Sequence, residues 1–539
     1  MLAVSSARAT LIGVLLSAAL AVALAARQPD LRPIMPEVDG VHPARALVAL
    51  HDAYAPGVGF LDKYPPLGSF LFGLAAAAGD VRGLSEQAAA ITAAPSEVRR
   101  VQLWALRDEV QGALERERWL SSLAMGAAAA LVFLLSRRLA GPPGTAGVLA
   151  LAGPLLAAWA FAASGATRVY AGTANVDALA LVPALGALLL LLKSRWTTAS
   201  AALALAVALK DPQVVLVPVV LAGAGWLGGR RALLRAALGA AAVYAVASSA
   251  LTAPGIWWEH VRYLTAGGVE GVDRLDHAEL AGWGRLLRYT GWLLLEGRGV
   301  MSFLLLALAL PLAGWPAGGR REGLLVIAAA LAPIALFVLP IGFVYARFLL
   351  VTQALVLAWI GAAGARFVER GSDAREHRPR LLPAGFTLLL AALLATRFVP
   401  RPGPDPAGDP RLAVPAVLEA AAPQGGRVLL FADEREHGPA LDPARWELEP
   451  RGLGEVGGAL AALRGMPAEA RPEWVLVMSF DTERPSGAPR AEDPQPRRGE
   501  SVGGLYTVRD VLGEAPARWE WTERAIAVRP RITVLQRAD

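Results

Sequence analysis

The chain has 539 residues, of which 55% are hydrophobic and 18% charged, and its formal net charge is +6 at pH 7. With a mean hydropathy of +0.44, it carries far more apolar side chain than a water-soluble core needs, so the composition excludes a soluble protein and predicts a membrane protein. The absence of cysteine excludes disulfides and thiolate metal sites. The pI near 9.9 does not indicate nucleic-acid binding, because the basic residues lie in short clusters between apolar runs.

Apolar runs in chain order predict a mostly α-helical, polytopic membrane protein. Two short runs at 197-209 and 212-227 are predicted to form a hairpin; if it counts as two spans, every basic turn falls on the cytoplasmic face. This predicts eleven spans, a cytoplasmic N-terminus and an extracytoplasmic C-terminus. The first run could instead be a signal peptide, because it ends in Ala-Leu-Ala-Ala, although Arg8 alone is a weak basic segment. The nine runs long enough to cross a bilayer are 9-26, 119-136, 147-164, 176-192, 232-251, 299-316, 322-340, 348-365 and 381-397.

The orientation depends on clusters of basic residues between the spans. The basic turns assigned to the cytoplasmic side are Arg137-Arg138, Lys193 with Arg195, Arg230-Arg231, Arg320-Arg321, and the run Arg366, Arg370, Arg375, Arg378 and Arg380.

Heavy use of Ala, Arg, Gly and Pro indicates a high-GC bacterial coding bias, so we expect the protein in a bacterial cytoplasmic membrane.

Three regions are predicted on the extracytoplasmic side, two of them loops of a transmembrane domain that covers 1-399. The first loop, 27-118, has helical apolar spacing in its second half, which predicts an amphipathic helix at the interface. The second loop, 253-298, is rich in Trp and Tyr, which favour the headgroup layer. After a proline-rich linker, 400-539 is predicted to be a small α/β domain. Its strand-like runs are 428-431, 474-478 and 532-535, and its helix-like runs lie near 411-422 and 454-464.

Polar residues collect directly after the first span. Glu37, Asp39 and His42 are followed by Lys63 and by the turn that starts at Tyr64, in which two prolines fix the backbone. Carboxylates, a histidine and a lysine at the membrane surface suggest chemistry at the bilayer interface.

Four short motifs give a more specific indication. They are Asp39 with Glu37 after the first span, the turn Tyr64-Pro65-Pro66-Leu67, Asn175-x-Asp177 at the fourth span, and Tyr345-Ala-Arg347-Phe348 opening a late span. Together they resemble the GT-C superfamily of integral-membrane glycosyltransferases, and within it the bacterial relatives of dolichyl-phosphate-mannose protein mannosyltransferases and of the aminoarabinose transferase. The similarity of layout covers most of 1-400. Family members often carry adjacent Asp-Glu in the first loop, whereas Gly40 follows Asp39 here, so it stays open which carboxylate acts and whether a divalent metal lies between them.

The resemblance implies a polyprenyl-phosphate sugar donor, and an acceptor hydroxyl of a glycan, lipid or protein that attacks the anomeric carbon and expels the lipid phosphate. Since a phosphate leaves without protonation, the reaction needs one general base and a cationic cradle. We expect Asp39 to be the base, with Glu37 as the second catalytic carboxylate. The expected substrate-binding residues are Asp177, Lys210, Arg347, Lys63, Tyr64 and His42.

The first-loop residues also have structural interpretations. Asp39 could cap a helix that starts near His42, because Asp-Gly often precedes a helical run. Three residues separate the two side chains, so on a helix they would share a face and could hold a divalent metal. His42 could equally be a surface residue.

The later candidates have structural alternatives as well. Asp177 could orient the acceptor or Lys210, or it could cap its helix together with Asn175, since a carboxylate in an apolar span needs a partner. Lys210 could pair with its neighbour Asp211, and Arg347 could anchor its span at the interface.

Two other classes of protein remain possible from the sequence. A secondary transporter or flippase of a lipid or small polar solute is the main alternative, because a short proline-containing hairpin is typical of broken-helix carriers. The sequence contains no internal repeat, and its polar residues crowd one face of the membrane, which favours the enzyme. A scaffold that presents the C-terminal domain would leave the polar first loop unexplained.

Overall fold

The computed structural model describes a helical part and an α/β part of the chain, which belong to two compact units; the helical unit ends in sequence at Arg401. The predicted spans at 299-316 and 381-397 and most of the first loop lie outside the described residues. Those described are 6–26, 66–77, 108–141, 151–265, 319–341, 346–373, 410–432, 441–442, 444–451, 456–479, 497–513 and 531–538, with isolated positions 284, 286, 287, 290, 291, 294, 317, 344 and 439.

The helical unit is built of apolar helices, since a helix satisfies every backbone polar group internally when lipid replaces water. Proline stands at the first position of the second helix, where its missing N–H costs nothing. In chain order the elements are α1 (Ser6–Ala26), α2 (Pro66–Ala77), α3 (Asp108–Ala140), α4 (Ala152–Ala163), α5 (Gly165–Gly172), α6 (Val176–Leu192), α7 (Trp196–Leu209), a 3₁₀ turn (Asp211–Leu216), α8 (Val217–Ala247), α9 (Pro254–Thr265), α10 (Arg320–Pro333) with a π turn (Ile334–Val338) and a last α turn (Leu339–Ile341), a 3₁₀ turn (Ala346–Leu349), and α11 (Leu350–Asp373).

Within the described part of the chain, four helical segments are long and apolar enough to cross a membrane. The pair α5 and α6 adds a fifth if it is one span, but its two helices are bent by 118°. These segments agree with the predicted mostly α-helical membrane protein, while the count of eleven spans stays a prediction. The four segments are Glu115–Ala140, Asp211–Ala247, Arg320–Ile341 and Arg347–Arg366.

Two predicted spans differ from the observed helices in extent. The predicted span 119-136 is the C-terminal part of α3, so the end of the predicted interfacial helix continues into it without a break. The predicted span 147-164 contains α4, whose 12 residues reach about 18 Å and cannot cross a hydrocarbon core of about 30 Å. The helix stops there because Ser164 adopts extended backbone and its side chain accepts a hydrogen bond from the Thr167 N–H, which starts α5.

The long helix α8 consists of two helices that meet at Gly229, where the backbone has φ 77 and ψ −176. A Cβ built at Gly225 would lie 3.7 Å from the Cβ of Leu233, although a straight helix holds residues eight apart at about 12 Å. The chain therefore folds back at the basic turn that the sequence predicted here, so Asp211–Ala247, which is long and apolar enough to cross a membrane by length and composition, is not one straight span. The Arg321 guanidinium lies 5.9 Å from the ring centre of Trp226, so the basic start of α10 lies at the same place.

Other basic residues lie at this same end of the helices. Arg138, in the last turn of α3, donates to the Leu192 carbonyl oxygen at the end of α6 (2.8 Å) and pairs with Glu322 at the start of α10 (2.6 Å). Arg366 of α11 donates to the Leu139 carbonyl oxygen (3.4 Å). Arg138, Arg321 and Arg366, which belong to three of the predicted basic turns, therefore lie at one end of the helical unit, while the cytoplasmic side stays a prediction.

The second unit contains a six-stranded sheet with strand order β2-β1-β3-β6-β5-β4. β1 pairs in parallel with β2 and β3, whereas β6 pairs antiparallel with both β3 and β5, and β4 pairs antiparallel with β5. The sequence predicted β1, β3, β6 and both helices; it missed the other three strands, whose polar residues hide the pattern. The elements are α12 (Pro410–Ala421), β1 (Gly426–Ala432), β2 (Trp446–Arg451), α13 (Val456–Arg464), β3 (Trp474–Ser479), β4 (Ser501–Val502), β5 (Tyr506–Leu512) and β6 (Arg531–Arg537).

A helix covers each face of this sheet. On one face Leu418 of α12 belongs to a core that contains Trp474, and on the other Leu463 of α13 packs in a core with Tyr506. The chain enters β1 through Gly425, whose φ of 83 lies in the left-handed region that favours glycine. The arrangement is a three-layer α/β domain, which agrees with the predicted α/β class.

Candidate functional site

A buried ion pair joins α6 to the end of α7. Oδ2 of Asp177, in the first turn of α6, lies 3.4 Å from Nζ of Lys210, and each side chain is 4% exposed. An isolated charge in an apolar interior is costly, so each group depends on the other. Both residues were candidates from the sequence, and the structure brings them together.

The helix ends favour these two charges. Asp177 lies at the N-terminus of α6, where the helix dipole stabilises a negative charge, and Lys210 follows the C-terminus of α7, where it stabilises a positive one. The side chain of Asn175 accepts a hydrogen bond from the Asp177 N–H (2.9 Å), so Asn175 caps α6. The Asp177 carboxylate pairs with Lys210, as one of the alternatives from the sequence proposed.

The sequence left open that Lys210 pairs with Asp211. In the structure Lys210 pairs with Asp177, and the Asp211 carboxylate contacts another residue. The backbone of Lys210 is extended (φ −154, ψ 117), which directs successive side chains to opposite sides. Oδ1 of Asp211 lies 3.0 Å from Nε2 of His260 in α9, and the His260 side chain is 3% exposed. No sequence motif includes His260, and its contact with Asp211 becomes visible only in the folded structure.

Polar side chains of α3 pack against the bend between α5 and α6. The Asn175 N–H donates to Ser121 Oγ (3.4 Å), and Ser122 Oγ donates to the Ala171 carbonyl oxygen (2.6 Å). One helical turn before Ser121, Glu117 is 0% exposed. The sequence did not single out this carboxylate, since it stands in a Glu-Arg-Glu-Arg run that is typical of an exposed helix face. Burial of Glu117 is thus a tertiary effect.

Helix α2, which directly follows the predicted Tyr-Pro-Pro turn, also meets this region. Gly68 is buried, and a Cβ added there would lie 2.6 Å from Cγ1 of Val176 and 3.3 Å from the Leu209 carbonyl oxygen. Val176 and Leu209 are the chain neighbours of Asp177 and Lys210. The absence of a side chain at Gly68 therefore lets α2 approach the ion pair closely.

Arg347 lies in the 3₁₀ turn Ala346–Leu349, which contacts α5. Its neighbour Phe348 packs edge to face against Phe337 of the π turn, with ring centres 4.8 Å apart. The π turn in turn contacts the 3₁₀ turn that follows Lys210. Arg347 therefore lies on a short turn, and Lys210 directly before another, and the two turns are connected by packing.

The first-loop candidates Glu37, Asp39, His42, Lys63 and Tyr64 lie outside the described residues. Within the residues that the structure describes, no group of three or more His, Cys, Asp or Glu side chains is arranged to hold a metal ion. The catalytic, binding and metal roles expected for these five residues stay predictions.

Comparison with known proteins gives a partial likeness to a solved structure. No family model and no curated protein matches the chain. Among solved structures, the chain is similar to the cryo-EM structure of the arabinofuranosyltransferase AftD from mycobacteria, with 15% sequence identity and a TM-score of 0.41 over 97% of this chain. The chain spans 41% of the length of that protein chain.

Proposed function

We propose that this chain is a membrane glycosyltransferase of the GT-C type, which transfers a sugar from a polyprenyl-phosphate donor to an acceptor hydroxyl at the extracytoplasmic face. The observation that carries the proposal is the buried Lys210, held 3.4 Å from Asp177. This pair lies at the opposite end of α6 from the Leu192 carbonyl oxygen that Arg138 binds. The 17 residues of α6 separate the two ends by about 25 Å, so the pair is far from the basic turns.

Lys210 can stabilise the negative charge of the departing phosphate. A lipid phosphate needs no proton to leave, but it needs positive charge where its own negative charge develops, and such charge acts most strongly where water is excluded. An ammonium group has three N–H donors, so it can hold Asp177 and a phosphate oxygen at the same time. Asp177 then orients Lys210 and balances its charge before the donor binds.

The remaining roles follow the resemblance. Asp39 takes the proton from the acceptor hydroxyl, and the oxygen of that hydroxyl forms the new bond to the anomeric carbon as the bond between this carbon and the phosphate oxygen breaks. Glu37 supports the base, and the positive charges of Arg347 and Lys63 add to the phosphate cradle. Tyr64 and His42 contact the substrate beside it.

The topology belongs to the proposal. Residues 1-399 form the catalytic domain, which crosses the cytoplasmic membrane of a bacterium with eleven spans. Residues 400-539 form a soluble extracytoplasmic domain that guides the substrate or has a packing role. A reporter enzyme fused after Arg401 should be active only outside the cytoplasm. Cytoplasmic activity of that fusion would refute the eleven-span topology.

The decisive experiment follows release of polyprenyl phosphate from a labelled lipid-linked sugar by purified protein in liposomes. Lys210→Ala and Asp39→Ala should each abolish release. Lys193→Ala is the matched control, because this lysine is exposed and follows the other end of α6. Full activity of the Lys210→Ala protein would remove the lysine from the phosphate site, and full activity of the Asp39→Ala protein would remove the base.

A transporter or flippase is the second candidate, and one observation favours it: α5 and α6 are bent by 118° next to a buried ion pair, as in broken-helix carriers. The same liposomes separate the two functions. Transfer of the label across the bilayer without cleavage of the sugar–phosphate bond supports a carrier. Appearance of free polyprenyl phosphate supports the transferase.

A further inference from the structure

Among the residues that the structure describes, Asp177 and Asp211 are carboxylates with which Lys210 could pair, and they lie on different elements. Asp177 belongs to α6 and contacts Nζ of Lys210 at 3.4 Å. Asp211 is the next residue in the chain and is 21% exposed, but its Oδ1 lies 3.0 Å from Nε2 of His260. An ionised carboxylate only accepts hydrogen bonds, so Nε2 of His260 carries the proton in this contact.

His260 is presented by a helix with two distinct faces. On α9, Trp258 is 57% exposed and Leu264 is 47% exposed, whereas His260 is 2% exposed. Exposed Trp and Leu side chains on a short amphipathic helix suit the headgroup layer of a membrane. The buried face of the same helix therefore holds the turn that follows Lys210.

We propose that His260 is a positioning residue which, by binding Asp211, keeps this carboxylate from competing with Asp177 for Lys210. The proposal rests on the proposed function only for its effect on turnover. The flexible side chain of Lys210 can reach either carboxylate when both are available, because a lysine ammonium is a point charge on a four-carbon stem. His260 decides the choice by occupying Asp211.

This role makes a prediction that a simple anchoring role does not make. His260→Ala releases Asp211, draws Lys210 away from Asp177 and lowers turnover about tenfold to a hundredfold, the loss expected for one hydrogen bond to a charged group. Adding Asp211→Asn removes the competing charge, so the double variant should recover most of that loss. If His260 only anchors α9, the double variant should be no better than His260→Ala.

The experiment measures kcat and KM for polyprenyl phosphate release, and the melting temperature by tryptophan fluorescence, for each variant of the full chain. His260→Gln, whose amide can donate to Asp211, should keep turnover near that of the parent protein. Arg262→Ala is the control on the same helix, since this side chain is 67% exposed. Equal defects in His260→Ala and in the double variant, in both kcat and melting temperature, would overturn the proposal.

The melting temperatures keep this test separate from the proposed function. They need no transferase activity, so recovery of stability in the double variant supports the positioning role even if the chain proves to be a carrier. A protein that transfers sugar normally with His260→Ala, and melts as the parent does, refutes the positioning role and leaves the transferase proposal intact.

Discussion

Replacing Lys210 with methionine should destabilise the helical unit strongly, and a second substitution should repair it. Methionine keeps the length and flexibility of the lysine stem but has no charge, so the Asp177 carboxylate stays buried without its cation. In the double variant Lys210→Met/Asp177→Asn neither position of the pair carries a charge. The first variant therefore isolates the cost of an uncompensated carboxylate.

The magnitude follows from the geometry. Two unit charges 3.4 Å apart attract each other by about 5 kcal/mol at an effective dielectric constant of about 20. Removal of one partner from a buried pair costs about 3–5 kcal/mol, whereas replacement of both partners is often close to neutral. We therefore expect the single variant to lose about 3–5 kcal/mol and the double variant to regain most of it.

Denaturation of the purified protein in detergent, followed by tryptophan fluorescence, measures these differences. Lys193→Met is the control, because this lysine is exposed and its replacement should change stability by less than about 0.5 kcal/mol. Polyprenyl phosphate release should be absent in both Lys210 variants, including the stable double variant. A Lys210→Met protein as stable as the parent would refute the view that Asp177 is a buried charge held by this lysine.

Further predictions concern both units. Gly68→Ala should reduce transferase activity by pushing α2 away from the ion pair, whereas Gly186→Ala, where a Cβ meets nothing within 4 Å, should leave activity unchanged and stabilise α6 by about 0.5–1 kcal/mol. Gly425→Ala should abolish folding of the sheet, seen as lost hydrogen-exchange protection of β1, because φ is 83 there and the added methyl would overlap a backbone oxygen. The hydrogen bond from Arg427 holds the pKa of Glu449 below its usual value of 4.5, so its contribution to stability is present above about pH 4.5 and is lost as the pH falls toward the lowered pKa. Hydrogen exchange of β1 and β2 in the full chain should rise with acid, and less steeply in Glu449→Gln.

The candidate functional site lies where the ends of several helices come together, and not along the faces of helices. The bend at Asn175, the turn after Lys210, the π turn and the turn that carries Arg347 are connected by packing. Helix ends expose backbone N–H and C=O groups that the helix interior satisfies by itself, so such a region can bind polar groups inside an apolar protein. Polar recognition in this protein is therefore concentrated where regular structure stops.

The sequence by itself determined that the protein is a mostly α-helical membrane protein, and it placed basic clusters at the ends of several of its helices. Apolar runs fix where a helix can cross lipid, and the charge clusters fix which ends lie together, as the contact of Arg138 with Leu192 shows. It also singled out Asp177 and Lys210, because an ionisable residue at an apolar span needs a partner.

Only the tertiary structure decided which partner each of these residues has. Lys210 stands beside Asp211 in the chain, yet it pairs with Asp177. Asp211 pairs instead with His260, which belongs to a helix that is distant in the sequence. Likewise Glu117 stands in a run that is typical of an exposed helix, but it is fully buried. The physical reason is that burial and pairing depend on distances between elements, and local periodicity specifies each element without specifying its neighbours.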